Sequence, residues 1–209
     1  ILGNAGVPVP QGTVIEYLDE LEQAIADVGG YPIVLKPLDG NHGRGITIDI
    51  NDWPEAEAAY DIASKASKTR SVIVERFYRG NDHRVLVING QVVAVAERVP
   101  AHVTGNGEST IEELIALTNQ DPKRGDGHDN VLTKISIDQT SKAVLAKQCY
   151  NLDSVLPPQK IAYLRATANL STGGVAIDRT DEIHPVNVWL AQRVAKIIGL
   201  DIAGIDIVT

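Results

Sequence analysis

Apolar and polar positions alternate along this chain with two periods, and the switches between them mark its elements. Leu18, Leu21, Ile25 and Val28 recur at helical spacing and stop at Gly29-Gly30, which predicts a first helix. The run Pro32-Ile-Val-Leu-Lys36 reads as a buried strand, and Ile46, Ile48 and Ile50 alternate with Thr47 and Asp49 as a half-buried one. Pro54, after Asp52-Trp53, opens a second helix, in which Ala56, Ala59, Ala63 and Ala66 form a small-residue stripe suited to close packing on a sheet. Ser71 to Arg76 predicts another buried strand. Residues 84–88 and 91–97 flank Asn89-Gly90, the strongest short-range hairpin signal.

Residues 99–136 differ, being rich in Gly and Asp, with a short helix opened by the capping box Thr110-Ile-Glu-Glu113. The stretch Asp121 to Asp129 is too polar for a core and is expected as an exposed, mobile loop of the kind that closes over ligands. A helix is expected over about 140–150, ahead of Pro157-Pro158. Another lies in 186–198 on Trp189, Leu190, Val194 and Ile197, with Gly199 as its stop. Ile202 to Val208 reads as a strand interrupted by Asp206. Helices interleaved with hairpins predict an α+β fold whose sheets are at least partly antiparallel.

Composition narrows the functions. The 209 residues hold one domain or two small ones, and 44% apolar with 22% charged residues is ordinary for a globular chain. A net charge of -8 argues against an electrostatic grip on nucleic acid or on an anionic membrane. No apolar run approaches the ~20 residues of a membrane span, and no signal peptide is visible. The single cysteine, Cys149, excludes an internal disulfide and fits a reducing cytosol, so a cytoplasmic protein is expected. Placed on the 140–150 helix with no activating partner, Cys149 reads as packing. The chain lacks methionine, opens on Ile1 and stops within a strand-like Asp206-Ile-Val-Thr209, so it reads as a piece of something longer.

The chemistry centres on Lys36 and the glycines that follow it. Gly40, Gly43 and Gly45, interleaved with Asn41, His42 and Arg44, join two strands. Glycine lets a backbone approach an anion closely, and Lys36 and Arg44 add positive charge at either end. A P-loop needs Lys-Ser/Thr after its glycines and then a helix, and a dinucleotide fingerprint also opens a helix; neither fits. The plain alternative is a glycine-rich surface hairpin. Glu75 ends a strand and Asp82 lies just beyond Gly80: a backbone edge there suits adenine and a carboxylate suits a ribose, or both are simply solvated. Arg165 and Asn169, ahead of Gly173-Gly174, offer a bidentate clamp for a phosphate or carboxylate, against a plain surface arginine. Asp206, a lone charge amid Ile205, Ile207 and Val208, reads as a metal ligand or as an edge-strand carboxylate. Of the five histidines only His42 falls in a candidate site, and none shows zinc-ligand spacing. A hydrolase elbow is absent from the sequence.

Taken together, Lys36 ahead of the glycine loop, Val-Glu75-Arg-Phe, Asp82 seven residues on and the late Asp206 resemble the ATP-grasp carboxylate–amine ligases. The segments from Gly80 to Gly107, Asp121-Pro-Lys-Arg-Gly, Asn169-Leu-Ser-Thr-Gly-Gly, and His184-Pro-Val-Asn with Gly199 to Asp206 are similar to the ligases that extend the polyaspartate backbone of cyanophycin. A related branch makes glutathione. The resemblance implies an ATP-grasp fold of two α+β subdomains, 1–98 and 99–209, gripping ATP between them. It implies that Lys36 holds phosphates, with Gly40, His42, Gly43, Arg44 and Gly45 closing over them. The strand end at Glu75, Arg76 and Phe77 would meet adenine, and Asp82 the ribose. Arg165 and Asn169 would serve the transferred phosphate or the acceptor, and Asp206 would bind Mg²⁺. The implied partners are L-aspartate and a cyanophycin primer, in a homo-oligomeric enzyme. A glutathione-type small-peptide ligase and a non-catalytic nucleotide-binding module stay open as alternatives. The family's further Mg²⁺ ligands, a Glu and an Asn, and its first phosphate-binding lysine are expected beyond Thr209 and before Ile1, so these residues alone are expected to be inactive.

Overall fold

The computed structural model describes residues 1–40, 44–126 and 130–209. The chain divides into two compact units, Ile1–Gly80 and Asn81–Ile207 with Thr209. The first unit contains β1 (Gly12–Ile15), α1 (Leu21–Asp27), β2 (Ile33–Pro37), β3 (Thr47–Ile50), α2 (Trp53–Ala66) and β4 (Val72–Arg76). Its sheet has the order β1-β4-β2-β3, and every pairing is antiparallel. Strand alternation sorts the side chains. Ile15, Ile33, Leu35, Ile50, Val72 and Val74 are buried with Leu21, Ile25 and Val28 and with Ala56, Ala59, Tyr60 and Ala63 of α2. Three of the four predicted alanines are thus in the core; Ala66 is exposed at the helix end. Asp52 caps α2 by accepting from the N–H of Glu55 at 2.9 Å, and Pro54 sits in its first turn.

Gly45 ties the glycine segment to this packing. Its φ is +75°, and a Cβ built there would lie 2.5 Å from the Cβ of Ala66. Gly45→Ala is therefore expected to lower stability by about 2 kcal/mol, left-handed strain and overlap adding together. Chemical denaturation of the variant measures this directly.

The second unit contains β5 (Asp82–Ile88), β6 (Gln91–Val99), β7 (His102–Thr104), α3 (Ile111–Thr118), β8 (Arg124–Gly125), β9 (Leu132–Thr133), α4 (Gln139–Lys147), β10 (Ile161–Tyr163), β11 (Val175–Asp178), α5 (Pro185–Ile198) and β12 (Ile202–Val208). The four-stranded sheet has the order β11-β6-β5-β12. Asn89 and Gly90 turn the β5–β6 hairpin with φ of 48° and 75°, the left-handed pair such a turn demands. β5 and β6 pair within this sheet, so both belong to the compact unit that begins after Gly80. Val85, Val87, Val95 and Ala203 pack with Ala191 and Ala195 of α5. The apolar spacing of α5 overstated Trp189, which is 56% exposed beneath the Arg193 guanidinium.

Residues 100–174 leave the sheet at Val99 and return at Val175, and those two residues lie opposite each other in the β6–β11 ladder. The excursion has its own core of Val103, Ile111, Leu114, Ile135, Leu145, Leu156 and Leu164. This corrects the expected loop over 121–129. Arg124-Gly125 pairs in parallel with Leu132-Thr133, and Arg124 is 8% exposed; Gly127, His128 and Asp129 lie outside the described residues. Cys149 is a second correction: it lies past the end of α4 with φ 62° and is exposed, so it does not serve packing. Among the described residues no helix is long and apolar enough to cross a membrane.

Candidate functional site

The face of the first sheet opposite its core carries the first group of predicted residues. Lys36 of β2 pairs with Ile73 of β4, and Glu75 of β4 pairs with Val34 and with Gly12 of β1, so these side chains share that face. Lys36 Nζ donates to Glu75 Oε2 at 2.7 Å, with the two side chains 31% and 23% exposed. Gly12 makes room for this pair, since a Cβ there would sit 2.7 Å from Glu75 Cγ. An anion reaching Lys36 therefore meets an ammonium already oriented by a carboxylate. Gly40 is equally constrained, because a Cβ would fall 2.3 Å from Pro37 Cγ. Arg44 is exposed, while His42 and Gly43 lie outside the described residues.

The predicted adenine edge is partly committed. The N–H of Arg76 donates to Gln11 O at 2.9 Å and that of Phe77 to Pro32 O at 3.0 Å. The Arg76 guanidinium donates to Gly29 O. Neither N–H is left to meet a base, so an adenine edge would fall to other main-chain groups of this segment.

The open face of the second sheet gathers a network the sequence did not reveal. Reciprocal main-chain bonds between Asn81 and Thr209, at 2.7 and 3.1 Å, set an antiparallel register that brings Arg84 opposite Asp206. Arg84 Nε and Nη2 donate to the two Asp206 oxygens at 2.8 and 2.9 Å. Arg98 Nη2 reaches Asp82 at 2.7 Å and Asp206 at 3.2 Å. Burial pushes the Asp206 carboxyl up, but the Arg84 hydrogen bond and the charges of Arg98 and Arg84 outweigh it and hold the group below its ordinary value. The environment of Asp206 differs from that of its neighbours in sequence. Its apolar neighbours Ile205 and Ile207 pack toward the core of the sheet, whereas the Asp206 side chain is 50% exposed beside two arginines on edge strand β12.

That setting bears on a metal. Mg²⁺ takes hard oxygen ligands and shares them with phosphates and waters. An ionised carboxylate on an open sheet face fits one such position, and among the described residues no group of three or more candidate ligands offers a complete protein cage.

Arg165 and Asn169 occupy the excursion. Arg165 donates to both Asp138 oxygens, at 3.0 and 2.8 Å, and to Ser136 Oγ at 2.9 Å, leaving its side chain 8% exposed. It is a buried anchor on Asp138 and Ser136, not the plain surface arginine that was the alternative reading. Asp138 also caps α4 by accepting from the N–H of Ser141 at 2.9 Å. Burial raises the Asp138 carboxyl, but the Ser141 bond and Arg165 overcome this and lower it from 3.8. A depressed carboxyl contributes stability that is present above its unfolded value and lost as pH falls through the folded one. Arg165→Ala is expected to cost about 2–3 kcal/mol, the low side for a broken buried pair because Asp138 is half-exposed. The variant should also lose less further stability than the wild type between pH 6 and pH 3, which urea titrations at both values would register. Asn169 closes the next turn: its carbonyl accepts from Thr172 N at 3.2 Å and Gly174 N at 3.1 Å, and its Nδ2 donates to Thr167 Oγ1 at 3.3 Å.

A cavity of about 410 Å³ lies on the other face of the second sheet, between it and α5. Its lining ion pairs, Arg179 with Glu97 and Glu182, satisfy one another, and it contains none of the predicted site residues. His184 and His102 hold main-chain groups, Val186 N and Pro100 O respectively.

Arg84, Arg98, Arg124 and Asp138 were the residues sequence reasoning missed. Arg84 had a signal, lying two residues past Asp82 on a period-2 strand. Arg98 required the register of the hairpin, which pairs it with Asp82.

The profile of the family described as prokaryotic glutathione synthetase, ATP-grasp domain, matches residues 7–116. The cyanophycin synthetase of Geminocystis herdmanii is 77% identical over 208 residues, spanning 100% of this chain and 24% of that protein. The glutathione biosynthesis bifunctional protein GshAB of Clostridium perfringens is 36% identical over 208 residues, with 100% of this chain and 27% of that protein covered. Among solved structures, a bifunctional glutathione synthetase from Pasteurella multocida aligns with a TM-score of 0.64 and 34% identity, over 99% of this chain and 28% of that one. This chain therefore spans about a quarter of the length of the curated relatives it matches.

Proposed function

Since the chain belongs to the ATP-grasp family of the prokaryotic glutathione synthetase type, we propose that it is part of an ATP-dependent carboxylate–amine ligase. The finer reading is that this ligase adds L-aspartate to the C-terminal carboxylate of a cyanophycin primer. One observation carries that choice: identity to the cyanophycin synthetases is about twice the identity to the glutathione enzymes, over the whole chain in both cases.

The chemistry to be managed is charge, because a carboxylate must meet a triphosphate. Lys36, oriented by Glu75, would neutralise phosphate oxygens, with Arg44 adding positive charge. Asp82 would accept from the ribose hydroxyls. Mg²⁺, when bound, supplies charge neutralisation of the phosphates, and Asp206 would hold it. Arg84 and Arg98 keep Asp206 ionised and leave cationic donors on the same face for anionic substrate. The carboxylate oxygen attacks the γ-phosphorus and ADP leaves; the amine then attacks the acyl carbon, and phosphate departs with the former carboxylate oxygen. By role, residues 1–98 would serve the nucleotide. Residues 99–209 would supply the acceptor end, near Asn169, and the metal-binding strand.

ADP release by the full-length protein with MgATP tests the assignment. Turnover with aspartate and a β-aspartyl-arginine primer alone is expected. Turnover only with γ-glutamylcysteine and glycine would move the function to glutathione synthesis, and nucleotide binding without either would favour a non-catalytic module.

A further inference from the structure

Arg124 is a buried charge that none of the chemistry above uses. Its Nη1 donates to two main-chain oxygens from separate segments, Thr133 O at 2.7 Å and Gly173 O at 2.9 Å. Among the described residues no carboxylate lies within ion-pair distance of it. Burying a cation is costly even with Asp121 nearby in charge, and the cost makes sense where its bonds to the two carbonyls fix something else. What they fix is the end of the turn that Asn169 begins. Gly173 has φ +93°, and a Cβ there would stand 2.8 Å from Ile135 Cγ1; at Gly174 a Cβ would stand 2.8 Å from the carbonyl oxygens of both Asn169 and Val99. The turn is therefore pressed against the end of β6, one residue from Arg98, which bridges Asp82 and Asp206. Its start is held by Arg165 on Asp138 and Ser136. The segment 165–174 is thus suspended between two buried guanidiniums, one at each end.

We propose that Arg124 is a positioning residue, which fixes the Asn169–Gly174 turn beside β6 and so sets how the carboxylate substrate is received without touching it. This rests on the ligase reading, and on the acceptor lying near this turn. Asp121, Asp126 and Lys134 surround the same segment, but Asp126 and Lys134 pair with each other and Asp121 caps its own turn through Lys123 N. Arg124 thus ties the β8–β9 pair to Gly173 through its two carbonyl acceptors.

The test uses the full-length protein and compares Arg124→Ala and Arg124→Lys with wild type. Arg124→Ala is expected to raise the KM for the acceptor by ~10-fold or more, as small misplacements of positioning groups do, while the affinity for MgATP stays within about 2-fold. Millimolar guanidinium should restore much of the loss in Arg124→Ala. Arg124→Lys, which keeps the charge and the fold but reaches the two carbonyls differently, should show the same split in weaker form. Hydrogen exchange is read in parallel: residues 169–174 should lose protection in Arg124→Ala while β5 and α5 keep theirs. An unchanged acceptor KM with unchanged exchange at 169–174 overturns the proposal. So does an acceptor defect that guanidinium fails to relieve and that is matched by equal loss of MgATP affinity. A wild type that forms no amide refutes the ligase reading instead, and the exchange comparison still decides whether Arg124 holds the turn.

Discussion

Lys36→Met is expected to weaken nucleotide binding by ~10- to 100-fold while leaving the first unit folded. The magnitude follows from one charge-assisted bond to phosphate, worth about 1.5–3 kcal/mol, with each 1.4 kcal/mol a factor of ten. The fold should tolerate the change because Lys36 and Glu75 are 31% and 23% exposed in their side chains, so the pair contributes only about 1 kcal/mol or less. Methionine keeps the apolar stem against the sheet. Glu75→Gln is the informative companion. If Glu75 orients Lys36 and does not itself bind the nucleotide, this variant keeps affinity within about 3-fold, since the amide oxygen still accepts from Nζ. Calorimetric titration with MgATP separates the outcomes. Equal loss in both variants would make Glu75 a direct ligand, and no loss in Lys36→Met would remove Lys36 from the site.

Asp206→Asn should have the larger effect on turnover. Losing an anionic metal ligand costs several kcal/mol of charge stabilisation, so kcat is expected to fall by ~10²-fold or more, with the Mg²⁺ requirement moving to higher concentration. Stability should change little, because Asp206 is half-exposed and Asn keeps one acceptor for Arg84. Arg84 and Arg98 lose a shared counter-charge, so any destabilisation should shrink with added salt. Turnover and Mg²⁺ dependence both matching wild type would reassign Asp206 as a structural partner of the two arginines.

Most of the fold was legible because its signals are local. Asn89-Gly90 specified its turn, and Thr110 and Glu113 capped their helix as expected. What stayed hidden depends on pairing between distant residues. The stretch 121–129 looked like loop because the core beside it is contributed by short, widely spaced elements, from Val103 to Leu164. Arg124 looked like surface because its neighbours in sequence are polar, whereas its acceptors lie 9 and 49 residues away. Asp206 was judged by its sequence neighbours, but on a strand those point to the opposite face. The residues that face it, Arg84 and Arg98, are set by register. The same limit applies to Arg165, whose bidentate partner Asp138 lies 27 residues away in sequence.

The most direct test of the ligase reading follows an oxygen atom. Primer carrying ¹⁸O in its C-terminal carboxylate is supplied to the full-length protein with MgATP and aspartate, and the products are analysed by mass spectrometry. The account predicts ADP and one ¹⁸O transferred to inorganic phosphate for each amide formed. Label appearing in AMP, or amide forming with none in phosphate, would contradict it.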